Sequence, residues 1–233
     1  MAREKEIKIL LKINLDDFIK RIQRQGYKLL HTLKQKDIYF DTKGWYLYEN
    51  LAALRLRQVD EIDHSFSFKK MFYLPEKEDK YYIEEIEIKI PFSKIDEFEK
   101  IFARLQLPYS QEVFKKGEDI THFLKRHKYY DEQIMSKSRK VYSDGNNEVT
   151  IDDVDKVGII IELECAEDDP LFLVKSFLDD HEWNRSLEGT SYMWLKEIKG
   201  LTSHLSNLEK FKTEPDWNVW DNETEMYIEI QKD

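Results

Sequence analysis

The chain has 233 residues, enough for one large domain or two small ones, with 41% hydrophobic residues, 36% charged residues and a formal net charge of -10. That acidic balance suits neither nucleic acid nor an anionic membrane, so an anionic ligand must be met by a local basic cluster. The single cysteine, Cys165, excludes an internal disulfide framework, and no Cys/His group has the spacing of a zinc site.

The opening residues, MAREKEIKILL, are charged at once and do not read as a signal peptide. No stretch reaches the roughly 20 consecutive apolar residues of a membrane span. The expectation is a soluble cytoplasmic protein. In chain order, residues 4–12 read as a strand and 15–25 as a helix. That helix carries Leu15, Phe18, Ile19 and Ile22 on one stripe and stops at Gly26. Strands follow at 36–41, 52–59, 64–73 and 80–91. A second helix over 94–105 carries Ile95, Phe98, Ile101, Phe102 and Leu105, with Ser93 and Asp96 resembling a capping box. A less regular helical stretch lies within 112–127, then strands at 134–142, 147–153 and 157–165, with DGNN at 144–147 as a turn. A last helix over 171–182 follows Pro170 and carries Leu171, Val174, Phe177 and Leu178. Strands with a few interspersed helices indicate an α+β fold with mostly antiparallel pairing. The domain is expected to span 1–200, and the segment 201–233, which holds five of the ten net negative charges and a strand-like MYIEI, is expected to be an extension.

Period two carries the chemistry. Successive strand residues point to opposite faces. Glu4, Glu6 and Lys8 share one face, Ile7 and Ile9 the other. In the same way Arg55 and Arg57 oppose Leu54 and Leu56, and Ser67 and Lys69 oppose Phe66 and Phe68. Glu85, Glu87 and Lys89 oppose Ile86, Ile88 and Ile90, while Glu162 and Glu164 oppose Ile161 and Leu163. Lys137 and Arg139 share a face, and Asp152 sits in the strand before 157–165. For any one strand the plain reading is a polar face in water. Taken together the polar faces are almost purely charged and their signs balance. An antiparallel barrel with its apolar face under helices and its charged face inward would bring both sets together. Its bases would hold phosphate oxygens and its acids a hard cation, Mg²⁺ or Mn²⁺.

The ordered motifs resemble those of the CYTH family, also called triphosphate tunnel metalloenzymes. Glu4-Lys5-Glu6-Ile7-Lys8 matches its ExExK, and Asp37-Ile38-Tyr39-Phe40-Asp41-Thr42 its D-x-YFDT segment. Ala53-Leu54-Arg55-Leu56-Arg57, Ser67-Phe68-Lys69, Glu85-Ile86-Glu87 and Lys137-Ser138-Arg139 follow in the family's order. Ile151-Asp152, Gly158, Glu162-Leu163-Glu164 and Ser191-Tyr192 complete the match, which runs from Glu4 to about Lys196. The resemblance implies an eight-stranded antiparallel β-barrel forming a tunnel, with helices outside, and metal-dependent chemistry on triphosphates. It implies Glu4, Glu6, Glu162 and Glu164 as metal ligands with Asp152 nearby. It implies Lys8, Arg55, Arg57, Lys69, Lys137 and Arg139 as phosphate binders, and Glu85, Glu87 and Lys89 as further lining.

The sequence departs from the pattern in three places. Ile83 stands where the family often has Arg, so that one phosphate contact is either missing or replaced, with Lys89 the candidate replacement; the 112–133 segment is longer than usual; and the tail after 200 has no counterpart. The favoured reaction is hydrolysis of a small-molecule triphosphate (tripolyphosphate, thiamine triphosphate or a nucleotide), with Glu4 or Glu6 orienting the water and Lys8 beside them. The alternative is class IV adenylate cyclase chemistry, whose His-Phe signal before ExExK is absent. A non-catalytic polyphosphate or nucleotide binder is a third reading, against which the large carboxylate set weighs. Trp45, Tyr46, Tyr73, Tyr81 and Tyr82 are candidates to stack on a base or thiazole ring, against the plainer reading of packing or surface aromatics. Neither nucleic acid nor membrane is expected as a partner, and homodimerisation is left open.

Overall fold

The computed structural model describes residues 6–73, 81–90, 96–105, 107, 117–165, 170–186, 190, 193, 197, 200, 218–221 and 226–229. Eleven strands and five α-helices are assigned within them. In chain order they are β1 (Glu6–Leu11), α1 (Leu15–Arg24), β2 (Lys28–Asp41), α2 (Tyr46–Glu49), β3 (Ala52–Val59), β4 (Ile62–Tyr73) and β5 (Tyr81–Lys89). Then come α3 (Asp96–Arg104), α4 (Gly117–Arg126), β6 (Tyr130–Ser143), β7 (Asn147–Val154), β8 (Gly158–Cys165), α5 (Pro170–Phe177), β9 (Trp183–Ser186), β10 (Asn218–Asp221) and β11 (Met226–Glu229). The eight expected strands are all present, with β9 as a short addition that pairs with β1. The fold is α+β and its pairing antiparallel, as expected. Among the described residues no helix is long and apolar enough to cross a membrane.

The chain divides into two compact units. The first comprises 37–134 and 204–233 with Met1; the second comprises 2–36 and 135–203. In the first, β5, β4 and β3 are neighbours in that order. Leu54 and Leu56 of β3, Phe66 and Phe68 of β4 and Ile88 of β5 lie on one face and are buried against Phe98, Ile101 and Phe102 of α3 and Ile120, Phe123 and Leu124 of α4. Phe66 stacks on Phe98 at 5.8 Å, and Phe102 meets Phe123 at 4.7 Å between centroids. Each such side chain contributes about 1.5–3 kcal/mol on full burial. The apolar residues therefore decide which face turns to the helices, and strand parity sends the charged residues to the other. A two-residue hairpin joins β3 to β4, with Asp60 and Glu61 both at positive φ, as the tightest hairpins require.

In the second unit β7, β8, β1 and β9 follow one another. Ile7, Ile9, Val149, Ile151, Ile161 and Leu163 pack with Phe18 and Ile22 of α1 and with Val174 and Phe177 of α5. Helix α1 starts where the Asn14 side chain accepts from Asp16 N at 2.8 Å. It ends as expected at Gly26, whose φ of 95° lets Tyr27 N reach back to Ile22 O. The turn expected at 144–147 joins β6 to β7, and Asp144 Oδ1 accepts from both Asn146 N and Asn147 N at 2.8 Å. Helix α5 stops at Phe177, short of the expected 182, and a turn carries the chain to β9. Capping by Ser93 falls outside the described residues.

Candidate functional site

In the first unit the charged face is built by register. Arg55 pairs across β3–β4 with Ser67, Arg57 with Ser65, and Ala53 with Lys69. Across β4–β5, Ser67 pairs with Glu87, Lys69 with Glu85 and Ser65 with Lys89. β2 adds Asp37, which is fully buried. Arg57 donates to both Asp37 oxygens, from Nε and Nη2 at 2.7 Å each. Arg55 makes longer contacts: 3.9 Å to Asp37, 3.3 Å to Glu85 and 3.9 Å to Glu87. Lys69 Nζ lies 2.8 Å from Glu85. Burial alone would lower the Arg55 pKa, but Asp37, Tyr39, Glu85 and Glu87 outweigh it and the net shift is upward. Arg55 is a permanent cation. Tyr39 belongs to the same cluster: burial first, then the charge on Asp37, raises its phenol, while Arg55, Arg57 and Lys69 oppose the rise.

The second unit repeats the device. Asp152 is fully buried on β7 and accepts from Lys137 Nζ at 2.7 Å, Arg139 Nε at 2.7 Å and Arg139 Nη2 at 2.6 Å. Arg139 Nη2 also donates to Glu162 at 2.8 Å, and Lys8 Nζ lies 3.4 Å from the other Glu162 oxygen. In the β1–β8 register Lys8 stands opposite Glu162, and Glu6 opposite Glu164. Burying a cation costs several kcal/mol unless partners offset it. The carboxylates here are what allow the cations to sit inside.

The structure thus brings together Arg55, Arg57, Lys69, Glu85 and Glu87 on one face, and Lys8, Lys137, Arg139, Asp152 and Glu162 on another. Lys89 and Glu164 are exposed at the ends of their rows. Glu4, Ser191 and Tyr192 lie outside the described residues, and Glu6 is described only by its place in β1. Of the candidate aromatics, Trp45 sits at a φ of 60° before α2 and meets Tyr48 edge-on, and Tyr46 is half exposed. Tyr73 and Tyr81 are cross-strand partners, as are Met71 and Ile83. Sequence reading assigned no role to Asp37, Tyr39, Ser65 or Ser67. A clue was present for Asp37, which shares parity with Tyr39 and Asp41 while Ile38 and Phe40 take the other face. A separate group, Asp179, His181 and Glu182, could bring three ligand atoms close together. Glu182, however, already accepts from Arg21 at 2.6 and 2.8 Å and from Asp179 N at 3.0 Å.

A guanidinium or ammonium already held by carboxylates can exchange them for phosphate oxygens with little reorientation. The fold is antiparallel α+β, with helices on the apolar side of the strands and paired acids and bases on the other. The chain belongs to the CYTH domain family, whose model matches residues 2–192. Members of that family are metal-dependent triphosphatases or adenylate cyclases. The chain is 27% identical over 185 residues to a protein of Methanocaldococcus jannaschii named "Putative adenylate cyclase", a match covering 78% of this chain and 84% of that one. Among solved structures, a "putative adenylate cyclase" of Vibrio parahaemolyticus superposes with a TM-score of 0.56 at 16% identity, over 83% of this chain and 98% of that one. A "Putative adenylyl cyclase" of Hippeastrum, described with a dominant triphosphatase activity, superposes with a TM-score of 0.54 at 18% identity, over 86% and 97% of the two chains. At these identities the likeness speaks to the fold alone, and these neighbours carry the tunnel barrel expected of the family.

Proposed function

We propose that the chain is a metal-dependent triphosphatase that cleaves a phosphoanhydride bond of a small triphosphate. The observation that carries this reading is the placing of largely buried cations against buried carboxylates in both units, as in Lys137 and Arg139 on Asp152 and Arg57 on Asp37. Such cations are already oriented, so they stabilise phosphate charge without waiting for side chains to reorganise. In this reading Arg55, Arg57 and Lys69 in the first unit and Lys8, Lys137 and Arg139 in the second are the phosphate binders. Residues 1–200 form the catalytic domain, and 201–233 is an extension to it.

The donor set for a metal is Glu4, Glu6, Glu162 and Glu164, with Asp152 nearby. Its fit to a hard cation rests on register. Glu6 stands directly opposite Glu164, an arrangement of like charges that is unfavourable by itself and that oxygen-ligated Mg²⁺ or Mn²⁺ relieves. When bound, such a metal polarises phosphate oxygens and lowers the pKa of water. The chain's own residues do the rest. The cations hold the phosphate chain in line, and Glu4 or Glu6 orients the attacking water.

The relatives' names favour a second reading, cyclisation of ATP, in which the ribose 3′-hydroxyl attacks and pyrophosphate leaves. One experiment separates the two. Pure protein is incubated with Mg²⁺ or Mn²⁺ and tripolyphosphate, thiamine triphosphate, ATP or GTP, and products are resolved. Orthophosphate is expected, and Glu4→Gln or Glu162→Gln should lower kcat roughly 100-fold. Pyrophosphate with cyclic AMP from ATP would overturn the hydrolase reading, and unchanged turnover in both variants would overturn the metal assignment.

A further inference from the structure

We infer that Ser67 and Ser65 complete, with Arg55, an anion subsite on the charged face of the first unit that takes a phosphoryl oxygen. The inference rests on the triphosphate reading above and adds residues to it. Register sets Ser67 between Arg55 on β3 and Glu87 on β5, and Ser65 between Arg57 and Lys89. Both serines are 1% exposed. Neither hydroxyl finds a hydrogen-bond partner among the described residues, and neither does Arg55 Nε. Buried polar atoms are almost always paired, so three unmet ones in neighbouring positions mark a place whose partner comes from outside.

The chemistry selects that partner. A guanidinium N–H can only donate and a hydroxyl can donate, so one acceptor-rich oxygen satisfies all three. A cation at the same place would face Arg55. The two arginines also differ. Arg57 is closed on Asp37 at 2.7 Å through two donors, whereas the shortest carboxylate contact of Arg55 is 3.3 Å. Of the two, Arg55 is the one whose fork can turn to a phosphate without giving up a short carboxylate contact. The register shift between Arg57 and Gln58, opposite Ser65 and Asp63, falls beside this row. Bulges of this kind re-aim side chains at binding sites.

The test is calorimetric titration of inorganic tripolyphosphate into wild type, Ser67→Ala, Ser65→Ala and Ser67→Thr, first without divalent metal so that turnover does not intervene, then with Mg²⁺. Loss of a hydroxyl bonded to a charged oxygen should weaken binding roughly tenfold in each alanine variant, and the threonine variant should retain affinity. The ligand-free melting temperature of Ser67→Ala should equal or exceed that of wild type, because the hydroxyl it removes has no partner. Equal affinity in wild type and both alanine variants overturns the subsite and leaves the triphosphate reading standing. A marked fall in the ligand-free melting temperature of Ser67→Ala assigns the hydroxyl to folding and overturns the subsite as well. Wild type that fails to bind with or without Mg²⁺ overturns both readings.

Discussion

Asp37 and Asp152 solve the same problem in the two units. Each is a fully buried carboxylate that accepts short hydrogen bonds from cations on the neighbouring strand. Asp152 was expected near a metal. Both of its oxygens accept from Lys137 or Arg139, so a metal there has to displace one of them. Removing one member of a buried ion pair leaves the others uncompensated, at a cost of about 3–5 kcal/mol. Asp152→Asn should therefore lose about 3 kcal/mol of stability in urea unfolding at pH 7. A loss under about 1 kcal/mol, the range of an exposed pair, would show that the cluster is solvated. At this scale the sequence exposed which residues share a face, because parity is a property of one strand. It did not expose which partners Ser65, Ser67 and Asp37 meet in the cluster. That requires knowing which strand lies beside which, and in what register.

Between elements, the contact most open to test is the one that ties α1 to the turn before β9. Arg21 clamps Glu182 through two nitrogens and also reaches Phe177 O at 3.2 Å. The Arg21 hydrogen bond, followed by that from Asp179 N, holds the Glu182 carboxyl at about 2, against an ordinary 4.5. A depressed folded value means that the stabilisation is complete above pH 4.5 and is lost as pH falls through about 2. Glu182→Gln should melt below wild type at pH 6, and the gap should close near pH 2. A gap that stays constant across that window would remove the ion pair as its cause. The eight long strands and four of the five helices were legible because their apolar spacing runs for two turns or several alternations. The first half of β2 was not, since Leu29 and Leu30 are adjacent and both exposed, which breaks the alternation. Helix α2 and strand β9 have four residues each, too few to show a period.

On the scale of the molecule, the proposed function asks a chain with a net charge of -10 to bind a polyanion. The global field opposes that, so affinity must come from local cations and from metal that neutralises the ligand. Tripolyphosphate with Mg²⁺ at about 100 times its dissociation constant should stabilise the protein by about 2.7 kcal/mol, read as a rise in melting temperature. The rise should shrink when the metal is chelated, and an equal rise with and without metal would remove the metal from binding. The sequence by itself determined the antiparallel α+β class, the charged and apolar faces and the family. These follow from alternation and from motifs in fixed order, which are local along the chain. Only the tertiary structure decided which acid holds which base, that Arg57 is held at 2.7 Å while Arg55 lies 3.3 Å or more from its acids, and that two buried serines stand beside Arg55. Those facts belong to pairs of residues far apart in sequence, brought together by strand pairing that no single segment encodes.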